Sequence, residues 1–138
     1  MGEGEHPNCD LIRRFYAARA RDDRDEVRAI LADDVHWHDP YPPPHGGDLV
    51  GAEAVVAGVI DRAGELTAGS TRLELRDVIA GDAHALALVD WSTTLDGRRM
   101  SGTEGAVYRI AGRRVVEAWF FPEDPATSDA FFGGENDG

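Results

Sequence analysis

The sequence predicts an α+β fold in which a curved antiparallel sheet wraps round a long helix and forms a cone-shaped barrel. Two helical patterns open the chain, and a third, longer one follows a short strand. The remainder reads as strands separated by turn residues, which gives the order α-α-β-α-β-β-β-β. Successive hairpins build an antiparallel sheet, and amphipathic helices must cover one of its faces.

The helices are recognised by their apolar spacing and their caps. The first runs from Asn8 to Ala20, with Asn8 as the predicted cap. The second runs from Arg24 to Leu31 and begins at Asp23, which has capping-box spacing to the glutamate that follows. The third runs from Gly51 to Leu66 and keeps one apolar face throughout, so it is the helix that the sheet should surround.

The strands are recognised by alternation and by the turns between them. Val35 to Asp39 places Val35, Trp37 and Asp39 on one face, and His36 and His38 on the other. Asp96-Gly97 is a strong hairpin signal. The four later strands are predicted at Arg72 to Ala80, Ala83 to Leu95, Arg99 to Ile110 and Arg114 to Phe121.

Length and charge limit the function. A chain of 138 residues is one domain, which we assign to residues 8–132 with flexible tails at 1–7 and 133–138. The net charge of −12 disfavours nucleic acid and anionic membranes as partners. No apolar run approaches the ~20 residues of a membrane helix, and the first residues lack a secretory signal, so the expected location is cytoplasmic. The chain has no lysine for Schiff-base chemistry, and Cys9, expected at the surface, is its only cysteine.

The stretch from His36 to Pro40 is the most informative for chemistry. Asp39 lies where a strand ends, beside aromatic residues that would desolvate its carboxyl group, so it is the candidate general base. The alternative is that Asp39 only caps an Asp-Pro turn. His36, His38 and His45 also suggest a metal site, but Asp39 points to the opposite strand face and His45 lies in a loop, so we predict no metal.

Other side chains are predicted to line the same cone. Glu104 shares a strand face with Ala106 and Tyr108, so it is a candidate acid or hydrogen-bond donor. The alternatives are that it is a solvent-exposed strand residue or a partner for one of the arginines. The sheet face that no helix covers predicts a homodimer. The predicted substrate-binding residues are Phe15, Tyr16, Trp37, His38, His45, Trp91, Tyr108 and Phe120.

Five segments together resemble the nuclear transport factor 2-like superfamily, in its ketosteroid isomerase and SnoaL-like polyketide cyclase branch. The resemblance spans roughly Leu11 to Phe132, and it implies the cone-shaped fold. Because this fold serves isomerases, cyclases, hydrolases, dehydratases and binding modules, it does not by itself name a reaction. The segments are Leu11–Ala18, Ile30–Pro40, Gly51, Asp96-Gly97 and Arg114–Asp124.

Residue by residue, the resemblance supplies some of the known catalytic positions and lacks others. Asp39-Pro40 matches the Asp-Pro pair whose aspartate moves a proton between carbons in steroid isomerases. The tyrosine of their oxyanion hole falls at Phe15, with Tyr16 one residue away, and their protonated aspartate falls at Ala106. The acidic residue of the polyketide cyclases matches Asp124, with Glu104 as a second candidate.

Together these observations predict a cofactor-independent isomerase or cyclase-type lyase. It would transfer protons on a small hydrophobic carbonyl compound, such as a polyketide, terpenoid or steroid-like molecule, with Asp39 as base and Asp124 or Glu104 as second acid/base. One alternative is a binding module for an apolar ligand. The other is an epoxide hydrolase, which would need a water held by an aspartate and polar partners near the base of the pocket, and a buried Asp-Arg-Asp cluster would indicate it.

Overall fold

The computed structural model describes residues 5–39, 47–62 and 69–122, and these ranges form one α+β unit. The predicted fold class is confirmed: helices accompany a curved, unclosed six-stranded sheet. The elements are α1 (Pro7–Ala20), α2 (Arg24–Ile30), β1 (Leu31–Asp39), β2 (Gly47–Val50), α3 (Ala52–Val55) continued by a π-helical segment (Val56–Arg62), β3 (Arg72–Ala80), β4 (His84–Leu95), β5 (Arg98–Ala111) and β6 (Arg114–Pro122).

The sheet has the strand order β2-β1-β6-β5-β4-β3. Every neighbouring pair is antiparallel except β1 and β6, which run parallel, so the sheet is mixed rather than purely antiparallel. Strand β2 was not predicted, and β1 begins four residues earlier than the alternation indicated, at Leu31. The parallel pair places the end of β1, and therefore Asp39, beside the last strand.

The helix termini follow the predicted chemistry with one correction. The Asp23 side chain accepts a hydrogen bond from the Glu26 amide at 3.1 Å, as the capping-box spacing predicts. The N-cap of α1 is His6 instead of Asn8, because the His6 Nδ1 atom accepts from the Asn8 amide at 3.0 Å. The Asn8 side chain instead donates to the carbonyl of Gly81 at 2.9 Å and so ties α1 to the β3–β4 turn.

The third predicted helix is α-helical for only one turn before it widens into the π-helical segment. Gly51 precedes it with a φ of 100°, which glycine tolerates, and its amide donates to the Val35 carbonyl at 2.8 Å. The predicted buried face is confirmed for Val55 and Val56. Val59 and Ile60 of the same face are half-buried against the core, and residues 63–66 of the predicted helix lie outside the described residues.

Two tight turns shape the second half of the sheet. Asp96 and Gly97 have φ values of 54° and 78°, so the predicted hairpin between β4 and β5 is confirmed. The next turn, between β5 and β6, is centred on Gly112 and Arg113, which have φ values of 60° and 66°. Cys9, expected at the surface, is buried, and its Sγ atom lies 3.8 Å from the Val78 carbonyl oxygen.

The two faces of the sheet differ in burial. The inner face, defined here by Trp37, Val89, Tyr108 and Ala118, is at most 2% exposed at these positions and forms the core with the helices. No helix in the described ranges is long and apolar enough to cross a lipid bilayer.

The opposite, outer face carries the exposed large apolar side chains of the described residues. They are 40–61% exposed, and the strand register places all of them on this side of the sheet. Six strands at about 4.8 Å spacing and about 3.4 Å per residue give this face an area on the order of 800 Å², which is about what one partner contributes to a standard interface. The exposed residues are Val50, Ile79, Leu86, Leu88 and Phe121.

The predicted homodimer can be tested on this face. Replacing Leu86 by arginine places a charge among the exposed apolar side chains of the outer face. We expect it to convert a dimer to a monomer, because a buried unpaired charge opposes association. Sedimentation velocity would measure the mass. Ala29→Arg, on the exposed side of α2, should leave it unchanged. A wild-type protein that sediments as a monomer at high concentration would contradict the prediction.

Candidate functional site

An aromatic cluster lies between helix α1 and the inner face of the sheet. It combines two residues of α1 with one residue each from β1, β5 and β6, and every member is at most 9% exposed. The Trp37 and Phe120 ring centroids are 4.8 Å apart, and those of Phe15 and Trp37 are 5.8 Å apart. The aromatic substrate-binding residues that the sequence suggested therefore do lie together. The members are Phe15, Tyr16, Trp37, Tyr108 and Phe120.

The two tyrosines of this cluster are joined by their hydroxyl groups. The Tyr16 and Tyr108 oxygens lie 2.5 Å apart, deep in the core. Burial raises the pKa of Tyr16 to about 12 and raises the pKa of Tyr108 well above its ordinary value. Both hydroxyls thus stay protonated at neutral pH, so the pair keeps a proton that it can share with a third oxygen.

The tyrosine pair should be energetically coupled. Tyr108→Phe leaves the buried Tyr16 hydroxyl without this partner and should lower the free energy of unfolding by about 1–3 kcal/mol. Urea denaturation of Tyr16→Phe, Tyr108→Phe and the double variant would measure it. Because the second substitution removes no further hydrogen bond, the double variant should lose less than the sum of the two single losses. Additive losses would show that the short contact stabilises nothing.

Two carboxyl groups lie next to this cluster on the inner face. Asp39 is half-buried at the end of β1, two residues beyond Trp37 and therefore on the same side. Glu104 lies on β5, on the same side as Ala106 and Tyr108. Strand β6 runs between β1 and β5, so the backbones of β1 and β5 are about 10 Å apart.

Glu104 is the strongly perturbed acid of the site. Burial raises the pKa of its carboxyl group to about 7, the Arg19 charge opposes the rise, and the negative charge of Asp39 adds to it. Glu104 is therefore present both as acid and as carboxylate at neutral pH, and it senses the charge on Asp39. The alternative that Glu104 is a solvent-exposed strand residue is wrong, because its side chain is half-buried, and no arginine of the described residues forms an ion pair with it.

Trp91 extends the aromatic lining along β4. It pairs with Gly102 across the β4–β5 ladder, one inner-face position beyond the Val89–Glu104 pair. A Cβ atom at Gly102 would lie only 3.0 Å from the Trp91 Cζ2 atom, so the missing side chain leaves room for the indole. The indole is half-buried and lies near Glu104.

Some predicted site residues are elsewhere or undescribed. His38 lies on the outer face, where its ring stacks on Trp119 and its Nε2 atom donates to Glu117 at 2.7 Å, which corrects its assignment to the cone. The hydrogen bond with Glu117 is the main cause that raises the pKa of His38. His45 and Asp124 lie outside the described residues. Within the ranges that the structure describes, no group of three or more His, Cys, Asp or Glu residues could hold a metal.

Arg19 is the site residue that the sequence analysis missed. It is half-buried, and its guanidinium carbon lies 5.7 Å from the centre of the Phe15 ring. Its charge lowers the pKa values of Glu104, Tyr16 and Tyr108, so it faces the same interior. The available signal was its spacing, since a residue four positions after Phe15 falls on the same face of a helix.

The sequence profile of the SnoaL-like domain matches residues 12–118. The chain belongs to the SnoaL-like domain family. An uncharacterized protein of Mycobacterium tuberculosis is 30% identical to this SnoaL-like domain over 126 residues, which cover 91% of this chain and 95% of that protein.

Solved structures agree with this family. A nuclear transport factor 2-like protein of unknown function from Burkholderia pseudomallei superposes with a TM-score of 0.79 and 26% identity, over 92% of this chain and 98% of that one. IdmH of Streptomyces antibioticus, described as a candidate polyketide cyclase, superposes with a TM-score of 0.72 and 19% identity, over 86% and 93% of the two chains. This SnoaL-like domain therefore shares its fold with proteins of the predicted superfamily.

Proposed function

We propose that this SnoaL-like domain is a cofactor-independent isomerase or cyclase that transfers protons on a hydrophobic carbonyl compound. The observation that carries the proposal is the pair of carboxyl groups beside the aromatic cluster. Glu104, with a pKa of about 7, retains a proton at neutral pH, and Asp39 lies near enough to influence it. Two interacting acids in different surroundings are a common arrangement for general acid–base catalysis.

Each group has a defined part in the proposed reaction. A carboxylate oxygen of Asp39 takes the proton from the carbon next to the substrate carbonyl. The protonated Glu104 donates a hydrogen bond to the carbonyl oxygen as that oxygen becomes negative. In an isomerisation Asp39 returns the proton to another carbon. In a cyclisation the enolate carbon bonds to a second carbonyl carbon, and the oxygen of that carbonyl takes up the proton that Asp39 removed.

The aromatic cluster and the tyrosine pair suit such a substrate. Apolar rings hold a hydrophobic molecule and exclude water, which strengthens the hydrogen bond that Glu104 donates. The likeness to IdmH, at 19% identity, supports the fold of a cyclase and not its substrate. A polyketide, terpenoid or steroid-like carbonyl compound is the substrate class that fits the apolar lining.

The alternatives make different demands on the same residues. An epoxide hydrolase would be indicated by a buried Asp-Arg-Asp set that holds a water, whereas the buried acid with a raised pKa at this site is a glutamate, Glu104. A binding module for an apolar ligand would need no buried acid, and a buried acid that ionises near neutral pH costs stability. The two inner carboxyl groups therefore favour catalysis.

The proposal is tested by proton exchange. Apolar cyclic and polycyclic ketones would be incubated with the protein in heavy water, and NMR would follow loss of the proton next to the carbonyl. We expect exchange faster than in buffer or with an unrelated protein, and a rate that falls as pH rises above about 7, because Glu104 then loses its proton. Ketones that bind but exchange no faster than in buffer would overturn the proposal in favour of the binding module.

A further inference from the structure

Arg19 occupies an unusual place among the arginines of this protein. Within the described chain, eight arginines form ion pairs with acidic side chains, and Arg72, Arg98, Arg99 and Arg113 are exposed. Arg19 differs from both groups because it is half-buried and forms no ion pair with the residues that the structure describes. Instead its guanidinium lies over the ring of Phe15, a member of the aromatic cluster. The eight ion-paired residues are Arg13, Arg14, Arg21, Arg24, Arg28, Arg76, Arg109 and Arg114.

Arg19 lies on the face of α1 that carries residues of the aromatic cluster. It follows Tyr16 by three residues and Phe15 by four on α1, so the three side chains share one helix face. The guanidinium carbon lies over the Phe15 ring, and a cation in contact with an aromatic face can still donate hydrogen bonds from the N–H groups at the edge of its plane. Glu104 and the tyrosine pair are the groups within reach of this charge, and all three are protonated or partly protonated at neutral pH. The charge of Arg19 therefore acts on groups that can donate hydrogen bonds.

A set of donors around a cation is suited to an anion. A guanidinium matches the two oxygens of a carboxylate with parallel hydrogen bonds. The tyrosine pair has a hydroxyl proton that can be donated to the same group. The protein as a whole carries a charge of −12, which repels anions, so an anionic ligand would need a local cation such as this one.

We propose that Arg19 is the anion-binding residue of the site and that the ligand is an apolar carbonyl compound bearing a carboxylate group. The proposal rests on the proposed function for the position of the ligand, and it adds the charge of that ligand. In this arrangement the carboxylate lies at Arg19, the apolar body lies against the aromatic cluster, and the reacting carbon faces Asp39. Arg19 then orients the substrate without taking part in the proton transfer.

Binding of matched probes tests this directly. The probes are 2-naphthoate and its neutral counterpart 2-naphthamide, measured by isothermal titration calorimetry and NMR line broadening at pH 7. We expect the wild-type protein to bind the carboxylate about tenfold to a hundredfold more tightly than the amide, because a charge-assisted hydrogen bond is worth that much. Arg19→Met should abolish the preference and leave binding of the amide unchanged.

Two further variants control for charge and folding. Arg14→Met removes an exposed, ion-paired arginine of the same helix, so it should keep the preference. Arg19→Lys keeps the charge but not the two parallel donors, so it should retain part of the preference if Arg19→Met does not fold. Circular dichroism would verify that each variant is folded.

The outcomes separate this proposal from the proposed function. Equal binding of both probes, absence of carboxylate binding, or a preference that survives in Arg19→Met or disappears in Arg19→Lys would overturn the anion site. Exchange on neutral ketones is a separate measurement. Proton exchange without a preference for the carboxylate would overturn the anion site and leave the proposed function standing. A preference for the carboxylate without proton exchange would overturn the proposed function and indicate a module that binds anions.

Discussion

Replacing Asp39 by asparagine is expected to slow proton exchange on a bound ketone by about 10²- to 10⁴-fold, the usual contribution of a positioned general base. Asparagine keeps the shape of the side chain but cannot accept the proton from carbon. Binding of the ketone should change little, because the apolar contacts come from the aromatic cluster and not from this carboxyl group. The loss would therefore appear in kcat and not in KM. Stopped incubations read by NMR would measure both.

The matched control is Asp34→Asn. Asp34 lies on the same strand but is exposed, five residues before Asp39. Removing its charge changes the net charge of the protein by the same amount without touching the inner face. If both variants keep full activity, or both lose it equally, Asp39 is not the base.

Replacing Glu104 by glutamine is expected to stabilise the protein at pH 8 by up to about 3 kcal/mol relative to wild type. Burial raises the pKa of this acid from 4.5 to about 7 in the folded protein. Between these two pH values the folded protein holds a proton that the unfolded chain has released. The free energy of unfolding is therefore highest, as far as Glu104 is concerned, below pH 4.5, and it decreases as the pH rises to about 7. The amide of glutamine cannot ionise, so the variant does not show this decrease.

The measurement is the free energy of unfolding in urea from pH 4 to pH 8. The difference between Glu104→Gln and wild type should be small at the acid end and should grow until about pH 7, after which it should stay constant. Glu74→Gln, at an exposed position on β3, is the control and should show no such growth. A difference between Glu104→Gln and wild type that does not change with pH would mean that Glu104 titrates normally in the folded state.

A gain in stability at Glu104 would carry a functional meaning. If Glu104 has no role in the reaction, its replacement should increase stability without lowering the reaction rate. If it is a catalytic acid, its replacement should increase stability and lower the rate. In Glu104→Gln the exchange rate should therefore be lower than in wild type and should no longer fall as the pH rises above about 7. Stability and activity would move in opposite directions.

Local patterns predicted most of the fold because they act over a few residues. Alternation and turn chemistry gave β3 to β6 within about two residues, a usual margin. Strand β2 was missed because it has only four residues and follows a Pro/Gly-rich run. The parallel pairing of β1 with β6 was missed for a different reason: register between distant strands depends on the whole fold and leaves no trace in either segment.

The site divides in the same way. The period of two placed Asp39 beside Trp37 and Glu104 beside Tyr108, and both placements agree with the structure. His38 was assigned to the cone even though its alternation put it on the other face, and the structure follows the alternation. Arg19 was missed because arginines are usually exposed, and only the contact with Phe15 distinguishes this one.

The parallel pairing of β1 with β6 also limits the order in which the strands can pair during folding. Leu31 pairs with Val115 and Trp37 with Ala118, so β1 finds its neighbour only after about 80 further residues have been made. Contacts that distant raise the contact order and slow folding. During synthesis, β1 has at most the short β2 beside it until β6 leaves the ribosome, while β3 and β4 can already pair with each other. The two inner carboxyl groups would then be brought together in the last step of folding.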